Sequence, residues 1–411
     1  MRTAFVALML LPASVTPLWA YSPLTHEAVI DAAWDGSIKP LLRARFGDLT
    51  PDQLREAHSY AYGGSIIQDM GYYPFGSKLF SDLMHYVRSG DFVVALVRET
   101  QNADELAFAL GALSHYVADN NGHPVAVNRV VPIDYPKLRV KYGPVVTYEQ
   151  NPAAHLKTEF GFDVVEVAKG QYAPQVYHDF IGFMVAKDAL ERAFRDTYSI
   201  ELKDVISNED LALGTFRFSV STLIPEATKA AWAAKGKDIQ QSQPGVTRRK
   251  FLYRLSRSSY RKEWGNRYAR PGFFARFVAF VFRLIPKVGP FRVLGFKTPS
   301  PQAEKLFMIS VDDTLAAYQR VAPGIVGADP KLENTNLDTG GPPTPGSYQL
   351  ADNAYVQLLE KLADKHRQPS PELKQAILAY VQGLSAPLST KAQAGLALVK
   401  GTADASTKPG Q

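Results

Sequence analysis

The sequence predicts an all-α fold, a multi-helix domain followed by a helical C-terminal extension. Apolar residues recur at helical spacing along most of the chain, and period-two alternation is scarce. Helix-opening signals are frequent, among them Ser22-Pro23 and Thr50-Pro51-Asp52-Gln53. Histidines also pair with carboxylates four residues away, a spacing that a helix turns into a single face.

Taken in order, Ser22 serves as an N-cap with Pro23 at the first helical position, and the segment runs from Thr25 to Trp34. The capping box at Thr50 opens the helix that carries His58. A Gly- and Tyr-rich connection from Gly63 to Gly76 holds Asp69, flanked by Tyr62, Tyr72 and Tyr73. Ser77 to Val87 is amphipathic, carries His85 and ends at Ser89-Gly90. Asn102 to Asp119 reads as a long buried helix, stopped by Asn120-Asn121-Gly122 and Pro124. Helical patterns return at 152–168, 175–197 and 211–234.

Residues 1–20 have the make-up of a secretory signal: Arg2, an apolar run from Ala4 to Leu11 that is too short to span a bilayer, and Leu18-Trp19-Ala20 before the cut. Cleavage after Ala20 leaves Tyr21 as the new amino terminus. The expected destination is the periplasm or the medium. The mature chain of about 390 residues can bury a large core. It has no cysteine, so packing and bound metal must supply the stability that disulfides give other exported proteins.

The formal charge of +6 conceals a basic block. From Arg248 to Lys297, lysines and arginines stand against a single acid, Glu263, around the greasy run Phe273 to Ile285. Cations flanking an apolar face suit an anionic membrane surface, so 270–297 is a candidate peripheral membrane contact, the alternative being a core helix with a solvated arginine face. The expected organisation is a signal at 1–20, a helical domain at 21–240, the basic Phe-rich extension at 241–322, a Pro-, Gly- and Asn-rich linker or extended loop at 323–350, and a C-terminal helical segment and tail at 351–411.

Six of the eight histidines fall in the first two fifths of the chain, on segments that otherwise read as core helix. They are His26, His58, His85, His115, His123 and His155. Two of them start His-x3-carboxylate pairs, His115 with Asp119 and His155 with Glu159, each pair able to reach one cation. Any one of these histidines reads equally well as a hydrogen-bonded core residue; the whole set does not. With nitrogen and oxygen ligands only, zinc fits best among the common ions. His58, His178 beside Asp179, and His366 are assigned no ligand role. Neither a Ser-His-Asp signature nor a Gly-rich phosphate loop is evident.

On this order and spacing of ligands, residues 21 to 235 resemble the zinc-dependent phospholipases C of bacteria, whose all-helical fold is shared with the zinc-dependent single-strand nucleases. The resemblance implies up to three zinc ions in a cleft between helices. One is held by the backbone amine and carbonyl of the mature first residue, here Tyr21, together with His26. Asp69, His85, His115 and Asp119 hold another, with Asp119 bridging the two, and Asp69 is also the implied general base. His155, Glu159 and one further histidine hold the third. In the family that histidine follows the bridging Asp by six residues; here the sixth is Val125, and His123 comes at the fourth.

Such a cluster activates water and screens a phosphoryl group, so a phosphodiester is the expected substrate, most favourably in a phospholipid headgroup. The His-x3-Glu pair favours a phospholipase over the related nuclease or nucleotidase, which leaves nucleic acid the less favoured partner. A non-enzymatic, membrane-associated protein with structural zinc is the reading of a different class, motivated by the shifted His123 and the basic extension.

Overall fold

The computed structural model describes residues 23–169, 183–242, 245–248 and 296–401. Among these every regular element is helical, and none is a strand. No helix of the described residues is long and apolar enough to cross a membrane. The signal segment, Tyr21, Ser22, His178 and all of the 270–297 stretch except Phe296 and Lys297 lie outside the described residues.

The first helix, α1 (Pro23–Ala33), does not stop at Trp34; it passes through a π-helical turn, Trp34–Ile38, into α2 (Lys39–Phe46). A distant carboxylate satisfies its N-terminal donors. Asp163 accepts from the Leu24 and Thr25 amides at 3.2 and 3.0 Å and from the Thr25 hydroxyl at 2.6 Å. The capping box expected at Thr50 forms, with both Thr50 and Gln53 engaged, and opens α3 (Pro51–Ile66). A 3-10 turn, Ile67–Tyr72, then carries Asp69.

After α4 (Lys78–Tyr86) and α5 (Ser89–Arg98), the central helix α6 (Ala103–Asn121) starts at an N-cap on Asn102, whose side chain accepts from the Glu105 amide at 2.9 Å. It crosses α3 with almost no gap. A Cβ on Gly64 would lie 1.9 Å from the Phe108 carbonyl oxygen, and one on Gly111 would lie 2.1 Å from that of Ala61. Only glycine allows the two backbones to approach this closely.

The sequence expects α6 to end before Pro124, but the chain stays helical there. A π-helical segment, Gly122–Val127, leads into α7 (Asn128–Asp134). Proline cannot donate in an α-helix, and the wider π turn accommodates the missing bond without breaking the rod. Four more helices follow among the described residues: α8 (Pro136–Tyr142), α9 (Pro152–Lys169), α10 (Lys187–Tyr198) and α11 (Glu209–Phe218). A further π turn, Ser219–Leu223, joins α11 to α12 (Ile224–Ser242).

The C-terminal part contributes α13 (Pro301–Ile325), α14 (Gln349–Lys365), α15 (Pro371–Val381) and α16 (Thr390–Lys400), the last not foreseen from the sequence. These helices share one hydrophobic core with the N-terminal ones: Tyr318, Leu337, Tyr355 and Val399 are buried in the cluster that contains Leu24, Phe108 and Phe216. Tyr318 donates to the Leu110 carbonyl at 3.1 Å, tying α13 to α6. Phe296 is buried against Phe160.

The segment expected as a linker or extended loop is anchored against the helices. It has no regular structure between α13 and α14, yet Thr335, Asn336, Leu337 and Asp338 are buried. Backbone pairing replaces solvent along this strap. The Leu337 amide donates to the His85 carbonyl at 3.1 Å, and the Ser89 hydroxyl donates to the Thr335 carbonyl at 2.6 Å. Asn334 pairs with Asp91 through both backbone and side chain. Gly90 makes room for the strap, since a Cβ there would meet the Glu333 carbonyl oxygen at 2.3 Å.

Candidate metal centre

Three helices and the 3-10 turn deliver most of the predicted ligands to one buried place. His115 and Asp119 project from the same face of α6, His85 comes from the last turn of α4, and Asp69 from the 3-10 turn. His115 Nδ1 rests on the Ser65 carbonyl at 2.9 Å, and His85 Nδ1 on the Ser81 carbonyl at 2.8 Å. A carbonyl only accepts, so each Nδ1 carries a proton and each Nε2 is turned into the site, where the neutral ring can ligate.

Those two Nε2 atoms stand 3.2 Å apart. Asp119 Oδ2 lies 3.2 Å from His115 Nε2 and 3.5 Å from His85 Nε2, and Asp69 Oδ1 lies 3.5 Å from His85 Nε2. The other Asp119 oxygen, Oδ1, faces His26 Nε2 on α1 at 3.5 Å. One carboxylate therefore presents its two oxygens to two different sets of histidines. His26 also groups with Asp69 and His115, and stacks on the His115 ring with centroids 4.3 Å apart.

A second constellation lies on α9 and the π turn. The His155 Nε2–H donates to the Val146 carbonyl at 2.6 Å, which turns Nδ1 toward Glu159, 3.6 Å away. His123 joins this pair: His123, His155 and Glu159 form one of three His/Asp/Glu groups among the described residues with ligand atoms close enough to share an ion. The π turn places His123 here despite its shortened spacing from Asp119. Its extra residue per turn changes the direction in which the side chain leaves the helix, so a count made on α-helical spacing does not apply.

Sequence reasoning missed two buried carboxylates at this site. Asp163, one turn beyond Glu159 on α9, anchors the start of the helix that carries His26. The regular His155, Glu159, Asp163 spacing was visible but could not say what the last member faces. Asp338, from the strap, places Oδ1 3.2 Å from His123 Nδ1. No local pattern in a Pro- and Gly-rich segment signals that. His58 is no ligand here; it pairs with Asp31 at 3.1 Å and stacks on Trp34. His366 is exposed at the end of α14.

The donor set fits divalent metal. Both oxygens of Asp69, Asp119 and Glu159, together with His155 Nδ1, are buried and take no hydrogen bond from the protein. Burying charge in this way is costly unless a counter-ion completes the site. The set is all nitrogen and oxygen, as zinc accepts.

Residues 25–208 match the family model described as zinc dependent phospholipase C. Over that stretch, a little under half of the chain, the protein is similar to that family. The similarity supports a phospholipase C-type function and hydrolase chemistry, and the three groups are places where a metal could sit. Comparison with curated proteins and with solved structures gave no match. The match ends far short of the strap, so Asp338 reaches the matched region from outside it.

The electrostatics of the domain agree with this donor chemistry. Burial and the neighbouring carboxylates Asp119, Asp69, Asp338 and Asp163 hold the Glu159 carboxyl well above its usual range, a mutual repulsion that cations would relieve. Burial pushes Asp119 up, but His115 and then His85 outweigh it and hold that carboxyl well below the usual range. Burial lowers His26 and His123, and takes His155 down to about 4, so these imidazoles are neutral and able to ligate. Burial also works to lower His85, but Asp119 and Asp69 raise it to about 10. A metal must displace that proton.

Proposed function

We propose that the protein is an exported phosphodiester hydrolase that releases phosphorylated headgroups from phospholipids. The observation that carries the reading is the convergence of four potential ligand atoms, His85 Nε2, His115 Nε2, Asp119 Oδ2 and Asp69 Oδ1, in one buried place. With the imidazoles neutral, atoms packed this closely in a water-poor site repel one another unless metal lies between them.

His85, His115, Asp69 and Asp119 would hold one ion, His26 and the second oxygen of Asp119 another together with Tyr21, and His123, His155 and Glu159 a third. Bound there, divalent zinc lowers the pKa of a water and offsets charge on a phosphoryl group. The residues do the rest. The Ser65, Ser81 and Val146 carbonyls fix three imidazole orientations before any ligand arrives, which removes reorganisation from the reaction. Asp69 sits where a carboxylate can accept the proton of an attacking water. Tyr72 and Tyr148, both buried, stand beside the His85 and His155 rings at 5.7 and 5.9 Å between centroids and help keep bulk water from the site.

The test is hydrolysis of phosphatidylcholine vesicles by full-length mature protein, with and without prior chelation. Zinc-restored release of phosphocholine supports the reading. Turnover of single-stranded nucleic acid in preference to every phospholipid offered would replace it with the nuclease reading, and no zinc-dependent hydrolysis of either would leave a structural role for the metals.

A further inference from the structure

We infer that Asp338 is a positioning residue for the His123 metal site, reaching it from a strap outside the matched region. The inference rests on the proposed metal reading of His123, His155 and Glu159.

Asp338 is buried and its two oxygens are used differently. Oδ2 accepts from the Tyr148 amide at 3.0 Å and from the Tyr348 hydroxyl at 2.8 Å. Oδ1 has no other protein partner and faces His123 Nδ1 at 3.2 Å, an atom that is itself buried and otherwise unpartnered. On the far side of the same ring, His123 Nε2 points inward, 3.9 Å from Asp119 Oδ2. The imidazole therefore stands between an outer carboxylate and the inner cluster.

The other ligand histidines on α4, α6 and α9 are each held by a backbone carbonyl at their outer nitrogen. Among the described residues no carbonyl is recorded at His123 Nδ1, and Asp338 takes that place. A carboxylate there holds the proton on Nδ1, fixes the ring and raises the basicity of Nε2 toward a cation.

The strap is built to hold the carboxylate still. Asn128 donates its side-chain N–H to the Asp338 carbonyl at 2.7 Å, and the Asp338 amide donates to Asn336 Oδ1 at 3.0 Å. Leu337 is buried in the common core, and its amide is fixed to the carbonyl of His85, a ligand of the neighbouring site. The Gly340 backbone, at φ 71°, takes the left-handed turn that sends the chain back out. The strap thus links two metal sites through one tripeptide, Asn336-Leu337-Asp338.

The test is zinc affinity of the full mature chain by chelator competition, alongside the melting temperature of the metal-free protein. Asp338→Asn keeps the volume and removes the charge. It should weaken one zinc of three by about 10- to 100-fold and leave the other two unchanged. The metal-free melting temperature should stay equal or rise, since a buried carboxylate is gone. In a His123→Ala background the same change should have no further effect on zinc. Unchanged affinity in Asp338→Asn overturns the inference while leaving the metal reading intact, as does a weakening that persists without His123, which would make Asp338 a direct ligand. A wild-type chain that never takes a third zinc overturns both. Should Asp338→Asn fail to fold, Tyr348→Phe, which releases Oδ2 only, carries the same expectation at smaller size.

Discussion

Asp119 and His26 face each other across two helices, Oδ1 to Nε2 at 3.5 Å, while the second oxygen of the same carboxylate turns to His115, one turn back on α6, at 3.2 Å. A carboxylate divided in this way can serve two cations at once. That division makes Asp119 the residue whose loss reaches furthest.

Replacement by alanine, Asp119→Ala, should therefore remove two zincs rather than one. Metal-derived charge stabilisation is worth several kcal/mol, so phospholipid turnover should fall by about 1,000-fold or more. Elemental analysis beside the activity assay checks both. Full retention of metal and turnover would show that the carboxylate does not bridge.

Asp163 stabilises the site indirectly, by closing the first turn of α1. In Asp163→Ala the Leu24 and Thr25 amides lose their buried acceptor, and destabilisation of about 2–4 kcal/mol should follow. Urea unfolding gives the number, and weaker binding of the His26-dependent zinc should accompany it.

The close crossing of α3 and α6 predicts a sharp response at Gly64. A methyl group there overlaps the Phe108 carbonyl, a backbone atom that cannot swing away. Gly64→Ala should cost about 2–3 kcal/mol and should disturb the contact of His115 with Ser65, the residue next to Gly64. A variant as stable as wild type would mean that the helices can part without loss.

The metal-free protein should lose stability on both sides of neutrality. His155 has its pKa lowered from 6.5 to about 4 by burial, so the folded state prefers the neutral ring; stability is complete above pH 6.5 and falls as pH drops toward 4, by about 3 kcal/mol for this group alone. His85 has the opposite sign. Raised to about 10 by Asp119 and Asp69 against burial, it contributes fully below pH 6.5, and that contribution is lost as pH rises toward 10. Urea midpoints in chelator from pH 4 to 10 should trace a dome. Zinc should flatten the alkaline side by taking the place of the His85 proton.

The sequence reveals the helices and the ligands more readily than their arrangement. The capping box at Thr50 is a local hydrogen-bond motif and forms as read, and the long helix expected from Asn102 forms as α6 behind a cap on that residue. The His-x3-carboxylate pairs are equally local, and the fold brings His26, Asp69, His85, His115, Asp119, His123, His155 and Glu159 into the same buried region. The continuation of α6 through Pro124 was hidden, because Gly-His-Pro ordinarily ends a helix and only the π turn rescues it. Asp338 was hidden for a deeper reason. Its partners His123, Tyr148 and Tyr348 lie on three separate segments, and a carboxylate in a Pro- and Gly-rich stretch reads as solvent-facing until the fold shows what covers it.

The central claim is a multi-zinc centre built from these residues, and counting zinc per chain tests it most directly. The sample is mature protein whose amino terminus has been checked by mass spectrometry. Three zincs per chain, falling to one in Asp119→Ala, is the predicted result. One zinc or none in the wild-type chain would contradict it.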